Sequence, residues 1–244
     1  EIHERLVGSE MCIRDSQRDM RTAAEILADI HSLKVPESTR IIRREAPAQG
    51  IYDECLAMAQ HYLEWDRADK RVCGLIDTLI TETGGLPLKE TSGAPVCIVN
   101  TELNSGNFLI NPDGKSYLID WEKPLLSEPA QDLAHFLVPT TTFWKTDTIL
   151  TPEKIATFAD NYIAAVGDRM DTSTVRERLP LFFKVTCLRG ITWCAMAMRE
   201  YSEPGRALRN EITFKKIQAY LAPDFLSNIL AVSYTHLTLP TTER

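Results

Sequence analysis

The chain lacks an uninterrupted apolar run of about 18 residues, the length that a membrane-spanning helix requires. No membrane span is therefore expected. It also lacks an excess of positive charge. Its 27 Lys and Arg face 34 Asp and Glu, a net charge of -7, which argues against a general nucleic-acid binder. Its six cysteines include no CxxC pair. In a chain of this size they read as reduced thiols rather than a zinc site or a disulfide framework, and point to the cytosol. No basic, apolar, small-residue leader opens the sequence. There is no internal repeat, no low-complexity tract and no glycine-rich phosphate loop of the GxGxxG or GxxxxGK[ST] type. What is present is ample core material. Of 244 residues 44% are apolar and 25% charged, enough for one large domain or two small ones.

The two ends stand apart. Leu6 to Ser16 reads LVGSEMCIRDS and Ala231 to Thr241 reads AVSYTHLTLPT. A DNA encoding Glu-Met-Cys-Ile-Arg-Asp can have a reverse complement that encodes Val-Ser-Tyr-Thr-His-Leu. The pair resembles the translated ends of a transposase-based sequencing adaptor. Residues 1–16 and 231–244 are therefore expected to be artefact, and His3, Cys12 and His236 to carry no functional weight. The biological part is expected to be 17–230, cut from a longer reading frame.

Within it, Met20, Ala23, Ala24, Leu27, Ile30 and Leu33 recur at spacings of three and four, an amphipathic helix stopping near Pro36. Residues 37–50 are polar, contain Pro47 and Gly50, and read as a loop. Tyr52 to Thr83 reads as one long helix ended by Gly84-Gly85-Leu86-Pro87, with Gly74 as a candidate break. Pro95 to Thr101 is apolar and β-rich. Asn107–Asn111 and Ser116–Asp120 read as a hairpin closed by Pro112-Asp113-Gly114. Later segments read as helical. Thr151 is an N-cap followed by Pro152 for a helix to Val166, and Ser173 is a cap for a helix to Tyr201 with Pro180 as a kink. A last helix is expected over Leu208–Leu221.

The centre of the chain carries the chemistry. Glu102, Asn107 and Asp120 stand five and thirteen residues apart. A carboxylate can orient a hydroxyl and take its proton. An amide oxygen and a second carboxylate are the hard oxygen donors that Mg²⁺ prefers. The hairpin between Asn107 and Asp120 would fold those two back towards each other. On spacing alone, a plain turn at Asn104–Asn107 and a strand-capping Asp120 explain the same residues.

The segments VNTELNSGN, IDWE and SEPAQDLA (Ser127–Ala134) resemble, in order and spacing, the HGDxxxxN, IDW[ED] and [GS]xPxxDLA motifs of the aminoglycoside phosphotransferase and choline-kinase-like family. Ile26–Ser32 resembles that family's LAxLH helix. The resemblance covers most of Met20–Ala134. It implies a mainly α fold with a small β-hairpin at the active site: the C-terminal lobe of a protein-kinase-like (α+β) fold. The facing nucleotide-binding N-terminal lobe is expected to be largely missing.

The resemblance further implies a phosphotransferase that uses ATP and Mg²⁺ and a small-molecule hydroxyl acceptor. Asn107 and Asp120 would hold the metal and Glu102 would be the catalytic carboxylate. Asp132 would brace the catalytic loop, although it also reads as an N-cap of the helix at Leu133. Trp121 and Glu122 would border the acceptor, with Glu122 either meeting a cationic substrate or merely solvated. His31 is expected to pack. Two positions depart from the family pattern. Asn100 stands for His, keeping hydrogen bonding without a titratable ring. Glu102 stands for Asp, keeping the charge but adding a methylene, and a misplacement of about 1 Å costs on the order of 100-fold in rate. A catalytically impaired kinase-like module that binds nucleotide or a partner is the alternative. A helical domain unrelated to kinases would leave Glu102, Asn107 and Asp120 apart.

Overall fold

The computed structural model describes residues 17–91, 93–203 and 210–235. Most of the segments read as artefact, with His3, Cys12 and His236, lie outside these. About 63% of the chain is helix and 5% strand, the mainly helical composition expected. Helix α1 (Gln17–His31) buries Ala23, Ala24, Leu27, Ala28 and His31, positions that share one face at the helical repeat. That face lies against α6 (Pro152–Val166), which returns Phe158, Ala159 and Tyr162. Thr151 caps α6 by accepting from the Lys154 N–H, with Pro152 at the first helical position, as read from sequence.

Three boundaries differ from the reading. The segment 37–50 is not all loop: α2 (Pro47–Leu63) starts at Pro47, whose missing N–H is harmless in the first turn, and carries Gly50 inside. The long helix from Tyr52 is two. It breaks after Leu63, and α3 (Lys70–Gly84) is restarted by Asp69, whose side chain accepts from the N–H groups of Arg71 (2.8 Å) and Val72 (3.0 Å). A cap that satisfies two orphan donors outweighs a tolerated Gly74 in the helix interior. Near Ser173, the N-cap of α7 (Val175–Ser202) is Thr174, and Pro180 lies within that helix without ending it.

Helix α7 is the hub, packing against α2, α3, α4 (Pro129–Leu137), α5 (Pro139–Thr146) and α8 (Glu211–Tyr220). It is long and apolar enough, by length and composition, to cross a membrane. The absence of an unbroken apolar run does not reveal this. Its most apolar window is 67% buried inside the protein, however, as befits a core helix. Phe182, Leu188 and Ile191 are among its fully enclosed residues, each contributing about 1.5–3 kcal/mol of burial. Gly190 permits the close approach to α5: a Cβ there would stand 2.5 Å from Cβ of Thr140. The last described helix, α9 (Pro223–Thr235), continues past residue 230 as helix.

Two small sheets hold the centre. Strand β1 (Cys97–Val99) pairs antiparallel with β4 (Leu125–Ser127), Cys97 opposite Ser127 and Val99 opposite Leu125. The expected hairpin is β2 (Phe108–Leu109) with β3 (Tyr117–Leu118). Strand β4 was not legible in the sequence. It is bonded on its other side by Ile42, whose carbonyl accepts from the Leu126 N–H at 2.8 Å.

Candidate active site

Strand β1 delivers Asn100, Thr101 and Glu102 to a loop, and β4 runs directly into α4, which sets Asp132 beneath it. The Asp132 carboxylate is fully buried. Its Oδ2 accepts the Asn100 N–H at 2.7 Å and its Oδ1 the Thr101 N–H at 3.0 Å. Asp132 lies inside α4, whose N-cap is Glu128, so the N-cap reading of Asp132 is corrected. Glu128 in turn makes a buried two-pronged ion pair with Arg178 at 2.6 and 2.7 Å.

The Asn100 side chain uses both ends of its amide. Its oxygen accepts the Glu102 N–H at 3.1 Å and its nitrogen donates to the Asp120 carbonyl at 2.9 Å. The Ile119 N–H donates to the Asn107 carbonyl at 2.9 Å. Short links thus connect the Glu102, Asn107 and Asp120 segments, although they come from separate parts of the chain. Thr101 and Asp120 both have left-handed backbone, φ 73° and 67°. For a β-branched residue this is an unusual, costly conformation. Thr101 occupies the position of Gly in the HGDxxxxN pattern, a third departure, which sequence reasoning missed.

Asn107 closes a single 3₁₀ turn, Ser105–Asn107, and is buried. Its side-chain nitrogen has no hydrogen-bond partner. Since amide nitrogen and oxygen are assigned from their partners, an amide without any is free to present its oxygen to a cation. Asp120 is exposed beside it. Among the described residues no group of three His, Cys, Asp or Glu converges; the donors here are one amide and one carboxylate, a set that suits Mg²⁺ completing its shell with water and phosphate oxygens. Glu102 and Glu122 are also exposed, as are the hairpin's Leu109, Tyr117 and Ile119.

Sequence reasoning missed several neighbours. Arg189 of α7 brings Nη2 to 3.9 Å from Oε1 of Glu102 and Nε to 3.7 Å from Glu54, which Arg44 also holds at 2.6 Å. Nothing in the repeat of α7 distinguishes Arg189 from a solvated charge. His31, expected to pack, is buried, and its Nε2 lies 3.4 Å from Asp132 while Nδ1 lies 2.9 Å from the Tyr162 hydroxyl. A carboxylate only accepts, so Nε2 carries the proton towards Asp132 and Nδ1 accepts from Tyr162. Burial pushes the Tyr162 phenol up, with Cys97 and Asp132 adding to the effect, so it remains a neutral donor. His135 sits beside the loop. Burial, then the adjacent Arg189, pushes its pKa down to about 4, against the upward pull of Asp132.

Two cavities open on Glu102. The larger, about 790 Å³, is bounded by the 40–44 segment, the Glu122–Leu125 stretch and α7. The smaller, about 350 Å³, is walled by Trp144, Trp193 and Tyr220. Glu102, His135, Thr186 and Arg189 line both.

Comparison with known proteins supplies a family and a fold. The family model described as the phosphotransferase enzyme family matches residues 4–179. No curated protein sequence matches. Among solved structures, a spectinomycin phosphotransferase in complex with ADP and spectinomycin is 17% identical (TM-score 0.58; 90% of this chain, 66% of that one). An ethanolamine kinase of Plasmodium vivax is 16% identical (TM-score 0.54; 87% and 61%). A choline kinase of Cryptosporidium parvum Iowa II is 13% identical (TM-score 0.53; 91% and 69%). At such identities the likeness is one of fold. The chain spans about two thirds of the length of these proteins.

Proposed function

Because the chain belongs to the phosphotransferase enzyme family, we propose that its protein transfers the γ-phosphate of ATP to a hydroxyl of a small molecule. The observation that carries this reading is the double use of the Asn100 amide, which ties the Glu102 N–H to the Asp120 carbonyl. Residues 17–230 are read as the C-terminal lobe of the kinase-like fold. In this reading the facing nucleotide-contacting lobe is a further part of the protein.

In this reading Glu102 accepts a hydrogen bond from the acceptor hydroxyl and takes its proton as the new O–P bond forms and the bond to the leaving ADP oxygen breaks. Asn107 and Asp120 hold Mg²⁺, which when bound neutralises charge on the phosphates. Asp132, backed by His31 and Tyr162, fixes the loop that presents Glu102. Arg189 holds the longer Glu102 side chain from the side of α7. The acid–base contribution of a positioned carboxylate is on the order of 100- to 10,000-fold.

One observation favours a second reading, a module that binds nucleotide without transferring phosphate. Glu102 is already faced by Arg189. The test is Mg²⁺-dependent ATP turnover and nucleotide-induced thermal stabilisation in the full-length protein. Glu102→Gln is expected to lose turnover by at least about 100-fold while keeping the stabilisation. Asn107→Ala is expected to lose both. Equal turnover by wild type and Glu102→Gln would remove Glu102 from catalysis, and nucleotide-induced stabilisation of wild type without any turnover would leave the second reading.

A further inference from the structure

The charge on the walls of the two cavities is opposite in sign to that of the chain. The larger cavity carries Arg40, Arg44, Lys123 and Arg189 against Glu54, Glu102 and Glu122. The smaller adds Lys145 and has no acid but Glu102. Together that is five cations against three acids, in a chain of net charge -7. Pairing sharpens the imbalance. Glu54 is taken up by Arg44 and Arg189, and Glu102 by Arg189. Among the described residues Arg40, Lys123 and Lys145 form no ion pair, and Glu122 is the one acid of the lining without a partner. His135, held neutral by its burial, supplies no counter-charge of either sign.

An ammonium group in the smaller cavity would therefore meet Lys145 and Arg189. Its only counter-ion would be the carboxylate needed by the hydroxyl. Cavities lined by one sign of charge concentrate ligands of the other, and like charges brought together are strongly rejected. The half-exposed Trp193, in edge-to-face contact with Trp144 at 5.7 Å, offers an apolar ring surface for the body of a ligand.

Resting on the phosphotransferase reading, we infer that the acceptor is a hydroxylated compound bearing a carboxylate or phosphate, lodged beside Trp193 with its anion at Lys145, the unpaired cation of that cavity. The acceptor is thus not an amine, unlike the choline and ethanolamine named for two of the structural neighbours.

A matched series tests this: gluconate, glucitol and glucamine share a polyol chain and differ only in an acid, neutral or cationic end. With the full-length protein, calorimetry measures binding of each without nucleotide, and ADP release measures transfer from Mg·ATP. Gluconate is expected to bind more tightly than glucamine by about tenfold or more, a gap that narrows as salt is raised. Lys145→Gln is expected to close most of that gap and to leave Mg·ADP affinity unchanged. Preference for glucamine, or no binding difference within the series, would overturn the inference. So would a Lys145→Gln effect on Mg·ADP alone, because the cations would then serve the nucleotide phosphates. Lys145-dependent binding of gluconate without phosphorylation would uphold the anion site and count against the phosphotransferase reading instead.

Discussion

Replacing Asp132 by Asn changes few atoms but removes what holds the loop. The carboxylate accepts two backbone N–H bonds, at 2.7 and 3.0 Å, and faces His31 Nε2 at 3.4 Å, in a site closed to water. Hydrogen bonds to a charged partner contribute about 1.5–3 kcal/mol each. An Asn can offer its oxygen to only one of the two N–H groups. The other then meets an NH₂, leaving a buried donor unsatisfied at a cost of about 1–3 kcal/mol. Loss of charge assistance at the remaining bond brings the total to about 3–5 kcal/mol, against a typical whole-protein stability of about 5–15 kcal/mol. For a chain this long, each kcal/mol moves the melting temperature by about 2–4 °C. Calorimetric melting at neutral pH should therefore show Asp132→Asn lower by about 6–20 °C. Asp113→Asn, in the exposed hairpin turn, should stay within about 0.5 kcal/mol of wild type. A shift of under about 2 °C for Asp132→Asn would refute the view that its carboxylate braces the loop.

Two further changes probe the same neighbourhood. Thr101→Gly removes about 1–2 kcal/mol of left-handed backbone cost and returns about 0.5–1 kcal/mol in chain entropy. The net gain of about 0–1.5 kcal/mol should raise its melting temperature by up to about 6 °C, and a fall of several degrees would contradict strain at that φ of 73°. The His135 pKa is about 4 when folded against an ordinary 6.5. The unfolded chain then binds the proton first, so stability is full above pH 6.5 and falls as the pH drops towards 4. His135→Asn should flatten denaturant-measured stability in that window by up to about 1.4 kcal/mol per pH unit, and an unchanged slope would show that His135 titrates normally.

The boundaries show what kind of information each level carries. Apolar spacing, the Thr151-Pro152 cap and the Asp113-Gly114 turn located α1, α6 and the hairpin, because these signals act over a few residues. The same local signals misjudged Pro47 and Gly74. Pro47 is disfavoured only beyond the first helical turn, and the Gly74 position was decided by Asp69, a cap outside the apolar pattern. Strand β4 had no alternation to betray it. Three residues long, it exists because β1 and Ile42 offer it partners on both sides.

By itself the sequence determined the helical class, the order Glu102–Asn107–Asp120 and the motif likeness, since each depends on residue types at short spacings. Only the tertiary structure decided which groups meet. Asp132 reaches back 32 and 31 residues to the Asn100 and Thr101 N–H groups, and His31 crosses 101 residues to Asp132. Arg189 arrives at Glu102 from the core helix, one residue before the Gly190 that lets α7 close on α5. No local period encodes such pairings. They are selected when helix faces bury their apolar sides together, and the cationic lining of the two cavities is a consequence of that packing.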